Sequence, residues 1–373
     1  MNLFVLSELN PHNNHIGWSV TYGLEAVLAS SCQASFLYPQ ENNTLRLSNG
    51  IELTDRNLPL VQRCRQRLQR FNRSWFSLDE RPTLGKGPNV LLVIGLSPYF
   101  LLSMHALGPQ LKQFDLRLGY ILDGFDLRWI DRTLLPYLDH LFVMSAEMAE
   151  DVQTQFGIPS TFIPIAIDTF SSLLPSQPRW IDIIYYGRGN KIVHQTLHAY
   201  FNRPASERLY YHSTFINGEV TSPREHIALM QTLLQRSKIS LCFEASSIAR
   251  FQGYSPILYR WFEGWLAGCT IVGKKPFGKG VASLMDWDNS TLDLPDSPDD
   301  SIPFLESLLE DEETLLLNAH RNYHECLLRH DWRYRIRDLL MTVGLPLPEP
   351  LNDDIALLRK KAYGSIVPLP RIA

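Results

Sequence analysis

Cysteine is scarce: Cys32, Cys64, Cys242, Cys269 and Cys326 are scattered, odd in number, and form no Cys-x-x-Cys pair. That argues against a disulfide framework and a spaced-thiolate zinc site, and it suits a reducing, cytoplasmic setting. An excess of charge of one sign is missing too. With 35 basic and 39 acidic residues the formal net charge is −4, so no global basic field exists to hold nucleic acid. The opening stretch, Met1 to Glu8, has no basic segment before its apolar run and reads as a first strand rather than a leader. Residues 90–107 come nearest to a membrane span, but Gly95, Ser97, Pro98 and His105 interrupt them. A buried strand over 90–96, a loop and a helix from about residue 99 are expected there, with no transmembrane segment. Residues 59–72 are basic, with Arg63, Arg65, Arg67 and Arg70, and Arg73 follows. They read as a solvated helix face or as a contact for an anionic acceptor or a membrane surface.

What is present is an ordinary globular composition, 45% hydrophobic and 20% charged over 373 residues, long enough for two domains. Apolar runs predict strands at Leu3–Leu6, Val90–Ile94, Arg117–Ile121, His140–Met144 and Ser160–Pro164, with helices at 18–29 and Ala146–Phe156. A second series follows a Ser- and Pro-rich linker at 171–179: strands at Ile181–Tyr186, Leu209–His212, Lys238–Glu244 and Thr270–Val272. Strands alternating with helices predict α/β architecture with parallel sheets.

Residues 253–273 organise the reading. Ser255 is a good helix N-cap and Pro256 suits the first helical position. Ile257, Leu258, Trp261, Phe262, Trp265 and Leu266 recur at helical spacing, and Gly268 suits a left-handed stop before a short strand. Glu263 lies one turn after Tyr259, off the apolar face. Its carboxylate can accept two hydrogen bonds from a vicinal diol, while the amides near Tyr254 and Ser255 suit a diphosphate. The alternative is that Glu263 pairs with Arg260 on a solvated face.

The run Arg260-Trp-Phe-Glu263-Gly-Trp-Leu-Ala-Gly268-Cys-Thr-Ile-Val-Gly273 resembles the signature of the "group 1" glycosyltransferases of the GT-B fold. That signature reads roughly Arg-x-Phe-Glu-Ala-x-Ala-x-Gly-x-x-Val-Ile-Gly, and its Glu holds the ribose of a nucleotide-sugar donor. Many members carry a second Glu eight positions earlier, over the donor sugar; here Ser255 stands in that place. In this the chain is similar to a divergent branch, the spore-maturation glycosyltransferase-like proteins. Three further runs support the resemblance. Ile165-Ala166-Ile167-Asp168 is similar to the family's hinge, Gly187-Arg188 with Lys191 to its phosphate-binding cations, and His330-Asp-Trp332-Arg333-Tyr-Arg335, within a helix at Asn322–Leu340, to its closing segment.

The resemblance implies a GT-B α/β fold: two Rossmann-like domains with parallel sheets facing across a cleft. Residues 1–170 would form the acceptor domain and 180–341 the donor domain, with a tail, 342–373, that can cross back to the first. It implies hexosyl transfer from a nucleoside-diphosphate-sugar to a glycan, lipid, small molecule or protein, with no metal and no cofactor. Arg188, Lys191, Arg250, Tyr254, Ser255 and Glu263 become donor-binding candidates. On the acceptor side Asp123 and Asp126, after the third strand, are the candidate bases, with His15 or His12 in the loop after the first; an Asp-Gly turn is the alternative for the former. Asp286-Trp-Asp288 has a metal-binding form but falls too late in the chain and reads as a turn. Two other functions stay open: a non-catalytic nucleotide- or glycan-binding scaffold, and a nucleotide-sugar epimerase.

Overall fold

The computed structural model describes residues 1–9, 15–42, 75–172, 178–187, 191–213 and 218–364. His12, the basic stretch 59–73, the linker centre 173–177 and Arg188 lie outside the described residues. The early strands are β1 (Asn2–Ser7), β2 (Ser35–Leu37), β3 (Gln40–Glu41), β4 (Phe76–Ser77), β5 (Asn89–Gly95), β6 (Leu116–Ile121), β7 (His140–Val143) and β8 (Ser160–Phe162). The later strands are β9 (Ile181–Tyr185), β10 (Tyr210–His212), β11 (Ser237–Phe243), β12 (Thr270–Lys274) and β13 (Leu292–Asp293). The helices are α1 (Ser19–Cys32), α2 (Ala146–Phe156), α3 (Lys191–Phe201), α4 (Pro223–Gln235) and α5 (Tyr259–Leu266). They continue as α6 (Val281–Leu284), α7 (Pro298–Glu310), α8 (Glu312–Arg329), α9 (Trp332–Thr342) and α10 (Glu349–Gly364). Among the described residues no helix is long and apolar enough to cross a membrane. The chain divides into two compact units: Met1–Pro11, Gln33–Met144 and Met148–Phe162 form one, and His12–Cys32, Ser145–Glu147 and Ile163–Ala373 the other.

The first unit carries a six-stranded sheet, order β2-β1-β5-β6-β7-β8, parallel throughout. β5, Asn-Val-Leu-Leu-Val-Ile-Gly, is buried along its whole length. Such an unbroken apolar run is what a strand covered on both faces requires. The strand order reverses between β1 and β5. There Glu8, just past β1, accepts a hydrogen bond from the Leu96 amide at 2.6 Å.

The second unit carries a five-stranded parallel sheet, order β10-β9-β11-β12-β13, so its reversal lies between β9 and β11. On one face Leu197 and Phe201 of α3 and Leu305, Leu308 and Leu309 of α7 pack on Ile183, Ile239, Leu241 and Val272. The indoles of α5 are buried, and each finds an acceptor, as buried indole N–H groups usually do. Trp261 Nε1 donates to Thr291 Oγ1 at 2.9 Å and Trp265 Nε1 to the Ser290 carbonyl at 2.8 Å. Buried His330 stacks on Trp265 with ring centroids 5.2 Å apart.

α5 ends as its sequence predicts. Gly268 has φ +68°, its amide donates to the Trp265 carbonyl at 2.9 Å, and the Cys269 amide donates to Gly264 at 2.8 Å. That pair of bonds is the Schellman pattern. Its start corrects the sequence reading: the helix begins at Tyr259 with Leu258 as cap residue, and Ser255 caps nothing. Ser255 Oγ instead donates to Glu244 Oε2 at 3.2 Å and accepts from the Phe277 amide at 3.2 Å. The closing segment needs a correction as well. The single helix expected over Asn322–Leu340 is broken between α8 and α9, because Asp331 leaves the helix to cap α9 through the Arg333 amide at 2.8 Å. Its other oxygen accepts from the Thr169 amide and hydroxyl, both at 2.8 Å.

Cys32, Cys242, Cys269 and Cys326 are buried thiols. Burial pushes Cys32 and Cys242 up to about 12 and Cys269 to about 11, and it raises Cys326 too.

Candidate functional site at the carboxyl end of the second sheet

In an open parallel sheet the backbone diverges at the strand-order reversal, leaving a crevice outside the carboxyl ends where ligands bind. In the second unit that place is flanked by Tyr186 and Gly187 after β9 and by Glu244 after β11. The strand register, Ile184 opposite Ser240, sets Tyr186 level with Cys242. Glu244 then lies two residues, about 7 Å, farther along.

Glu263 reaches this place from the middle of α5. Tyr186 Oη donates to its Oε2 at 2.9 Å, and Oε1 makes no hydrogen bond among the described residues. The side chain keeps part of its surface open while protein crowds it on most sides. Burial, opposed by the Tyr186 hydrogen bond and the Arg260 charge, pushes its pKa up to about 7. Burial next to this carboxylate likewise drives the Tyr186 and Tyr259 phenols well above their usual range. The Arg260 guanidinium lies against the loop after β9, since a methyl group on Gly187 would sit 3.2 Å from Arg260 Nη2. The Gly187 amide donates to Ser213 Oγ, just past β10, at 3.2 Å. A hydroxyl-accepting carboxylate and a guanidinium thus meet at the strand-order reversal. They can take a diol and an anion side by side.

Glu244, Ser255 and the loop after β12 form the other flank. Glu244 Oε2 accepts from the Ser246 amide at 2.7 Å and from Ser255 Oγ at 3.2 Å. The Ser255 carbonyl accepts from the Gly278 amide at 3.2 Å. Ser255, 2% exposed, therefore ties the loop between β11 and α5 to the loop after β12 at the carboxyl end of the sheet.

No protein-family model matches the sequence, and no curated protein is significantly similar to it. Solved structures are similar in fold. HepE of Anabaena in complex with UDP-glucose aligns with 92% of this chain and 100% of its own, at TM-score 0.50 and 11% identity. The fold is GT-B. TarM aligns at TM-score 0.47 and 11% identity, over 69% of this chain and 55% of its own, so the chain spans about half of TarM. The rhamnosyltransferase SpnG, complexed with thymidine diphosphate, aligns with 91% of this chain and 100% of its own at TM-score 0.36 and 12% identity. The assignment of the fold rests on HepE.

Within this GT-B chain the donor candidates among the described residues all lie on connections that follow β9 and β11. Glu263 and Ser255 sit as described. Lys191, exposed, opens α3, the helix that follows β9. Arg250 and Tyr254 lie on the loop between β11 and α5: Arg250 is exposed with its guanidinium 4.6 Å from the Phe251 ring centre, and Tyr254 is half-buried. The acceptor candidates fall in different units. Asp123 and Asp126 follow β6 in the first unit, and Asp126 is occupied: it caps the turn at Leu127–Trp129 and chelates Arg128, Oδ2 to Nη2 at 2.6 Å. The Arg128 hydrogen bond holds its carboxyl below the usual range. His15, in the second unit, accepts the Gly17 amide on Nδ1 at 2.9 Å, which puts the proton of the neutral ring on Nε2. Asp286 and Asp288 pair with Arg329 and Arg321 of α8 at a surface turn, and no metal-holding group of His, Cys, Asp or Glu occurs among the described residues.

Tyr186 and Glu244 went unnoticed in the sequence. An aromatic and an acid directly after strands carry no local signal. Only the strand order, which the sequence does not reveal, makes their positions special.

Proposed function

We propose that this chain is a glycosyltransferase that moves a sugar from a nucleoside-diphosphate-sugar to a hydroxyl-bearing acceptor without a metal ion. The observation that supports this most is the Glu263–Tyr186 pair beside Arg260 at the strand-order reversal of a GT-B nucleotide-domain-like sheet. In this reading Glu263 Oε1 accepts from the ribose diol. Arg260 and Lys191 face the diphosphate. The bond between anomeric carbon and diphosphate oxygen breaks, its electron pair leaves on the diphosphate, and the guanidinium and ammonium groups stabilise that charge. The acceptor oxygen takes the carbon and gives up its proton. Asp123 and Asp126, after β6, and His15 are the candidate bases for that proton. Arg250 and Tyr254 would border the donor.

Calorimetry with UDP, GDP, TDP and ADP tests the reading. We expect one of them to bind with a micromolar Kd. No heat and no thermal shift with any would overturn it. A nucleotide that binds while its sugar conjugate is never hydrolysed or transferred favours a non-catalytic binder, and inversion of a donor stereocentre favours an epimerase.

A further inference from the structure

The mechanism above leaves Glu244 without a task, although its place is unusual. It stands directly past the central strand β11, on the opposite flank of the strand-order reversal from Tyr186. Its backbone amide still pairs with the Lys274 carbonyl at 3.0 Å, so the sheet itself fixes its position. Its side chain is fixed as well. Oε2 accepts the Ser246 amide and the Ser255 hydroxyl at 2.7 and 3.2 Å. Ser255 is itself held, buried, by the Phe277 amide at 3.2 Å. Among the described residues the carboxylate pairs with no cation, and Oε1 accepts no hydrogen bond. A half-buried acid that is held on one oxygen and open on the other is arranged to accept from something outside the protein.

We infer that Glu244 Oε1 accepts hydrogen bonds from hydroxyls of the transferred sugar, with Ser255 as the residue that positions it. This rests on the donor-binding reading above and adds the residue that distinguishes sugar from bare nucleotide. The chemistry also selects. A carboxylate held by two donors accepts from neutral polyhydroxylated sugars and repels a uronic acid. The neighbouring loop that presents Phe277, 68% exposed, is hung on the same serine, so a change at Ser255 disturbs both.

The test is calorimetry on the full chain with UDP, GDP and TDP and with their glucose, galactose, N-acetylglucosamine and mannose conjugates, in wild type, Glu244→Gln, Glu244→Ala and Ser255→Ala. Melting curves show which variants fold. We expect Glu244→Ala to weaken the best nucleotide-sugar at least tenfold while changing the bare nucleotide less than twofold. Glu244→Gln, which keeps the shape, should lose less, and Ser255→Ala should show the same selective loss at about threefold. Equal loss for nucleotide and nucleotide-sugar, or no loss for any conjugate in a folded Glu244→Ala chain, overturns the inference and leaves the donor reading intact. A wild-type chain that binds no nucleotide overturns the donor reading, and this inference with it.

Discussion

Glu263 is where burial and charge compete most visibly. Its carboxyl is pushed up to about 7, first by burial, against a phenol and a guanidinium that favour the ionised form. A folded-state pKa raised from 4.5 means the folded protein keeps a proton that the unfolded chain has shed. This group's support for folding is therefore complete below pH 4.5 and fades as pH rises to about 7. Binding runs the opposite way, because ligand hydroxyls donate to the ionised form. The Kd of a nucleotide-sugar, whose diphosphate does not titrate in this range, should rise about tenfold from pH 8 to pH 6, and calorimetry across that range checks it. A flat profile would mean that Glu263 is not in the site. Glu263→Ala should cost about 1.5–3 kcal/mol of nucleotide affinity with the fold retained by circular dichroism. Tyr186→Phe removes a donor that favours the carboxylate, so the midpoint of the pH profile should move upward.

Among the elements, β5, β6, β7 and α2 were legible because their signals are local: an unbroken apolar run makes a doubly covered strand, and periodic spacing makes a helix. The Gly268 stop was legible for the same reason. The start of α5 was not. Ser-Pro is a strong local cap signal, yet Ser255 makes its bonds to Glu244 and Phe277, eleven residues before it and 22 after it. The break at His330 was hidden likewise, since Asp331 answers to Thr169, 162 residues away. Glu263 stood out in the sequence as a lone carboxylate on α5, but its burial beside Tyr186 depends on strand order. At this scale Gly273 is the position to test. A methyl there would fall 1.7 Å from the Cys242 carbonyl oxygen, at the pairing of β11 with β12. Gly273→Ala should lower stability by about 3 kcal/mol or more in urea unfolding, because only backbone can give way.

For the molecule as a whole, the second unit is closed by charge as well as by packing. Arg333 reaches Asp168 at 2.9 Å, Asp331 at 3.1 Å and Asp354 at 3.0 Å. From α10, Lys361 donates to the carbonyls of Thr169 and Phe170 at 3.0 and 2.9 Å and to that of Ser172. Removing one member of a buried ionic network leaves the others uncompensated. Asp331→Ala should thus cost about 3–5 kcal/mol, read from urea unfolding. Deleting residues 349–373 strips Leu351, Ile355 and Leu358 from the core. At about 1.5–3 kcal/mol for each such side chain, the truncated chain should melt well below the intact one or aggregate.

The buried thiols give this unit its own chemical clock. Cys32, Cys242, Cys269 and Cys326 all fall within the second unit, and a sulfur that resists ionisation reacts with iodoacetamide only when the chain around it opens. In a Cys64→Ser background, the rate of alkylation at each position, read by mass spectrometry, times the opening of that unit alone. A bound nucleotide-sugar should slow Cys242, two residues before Glu244, more than Cys32 on α1.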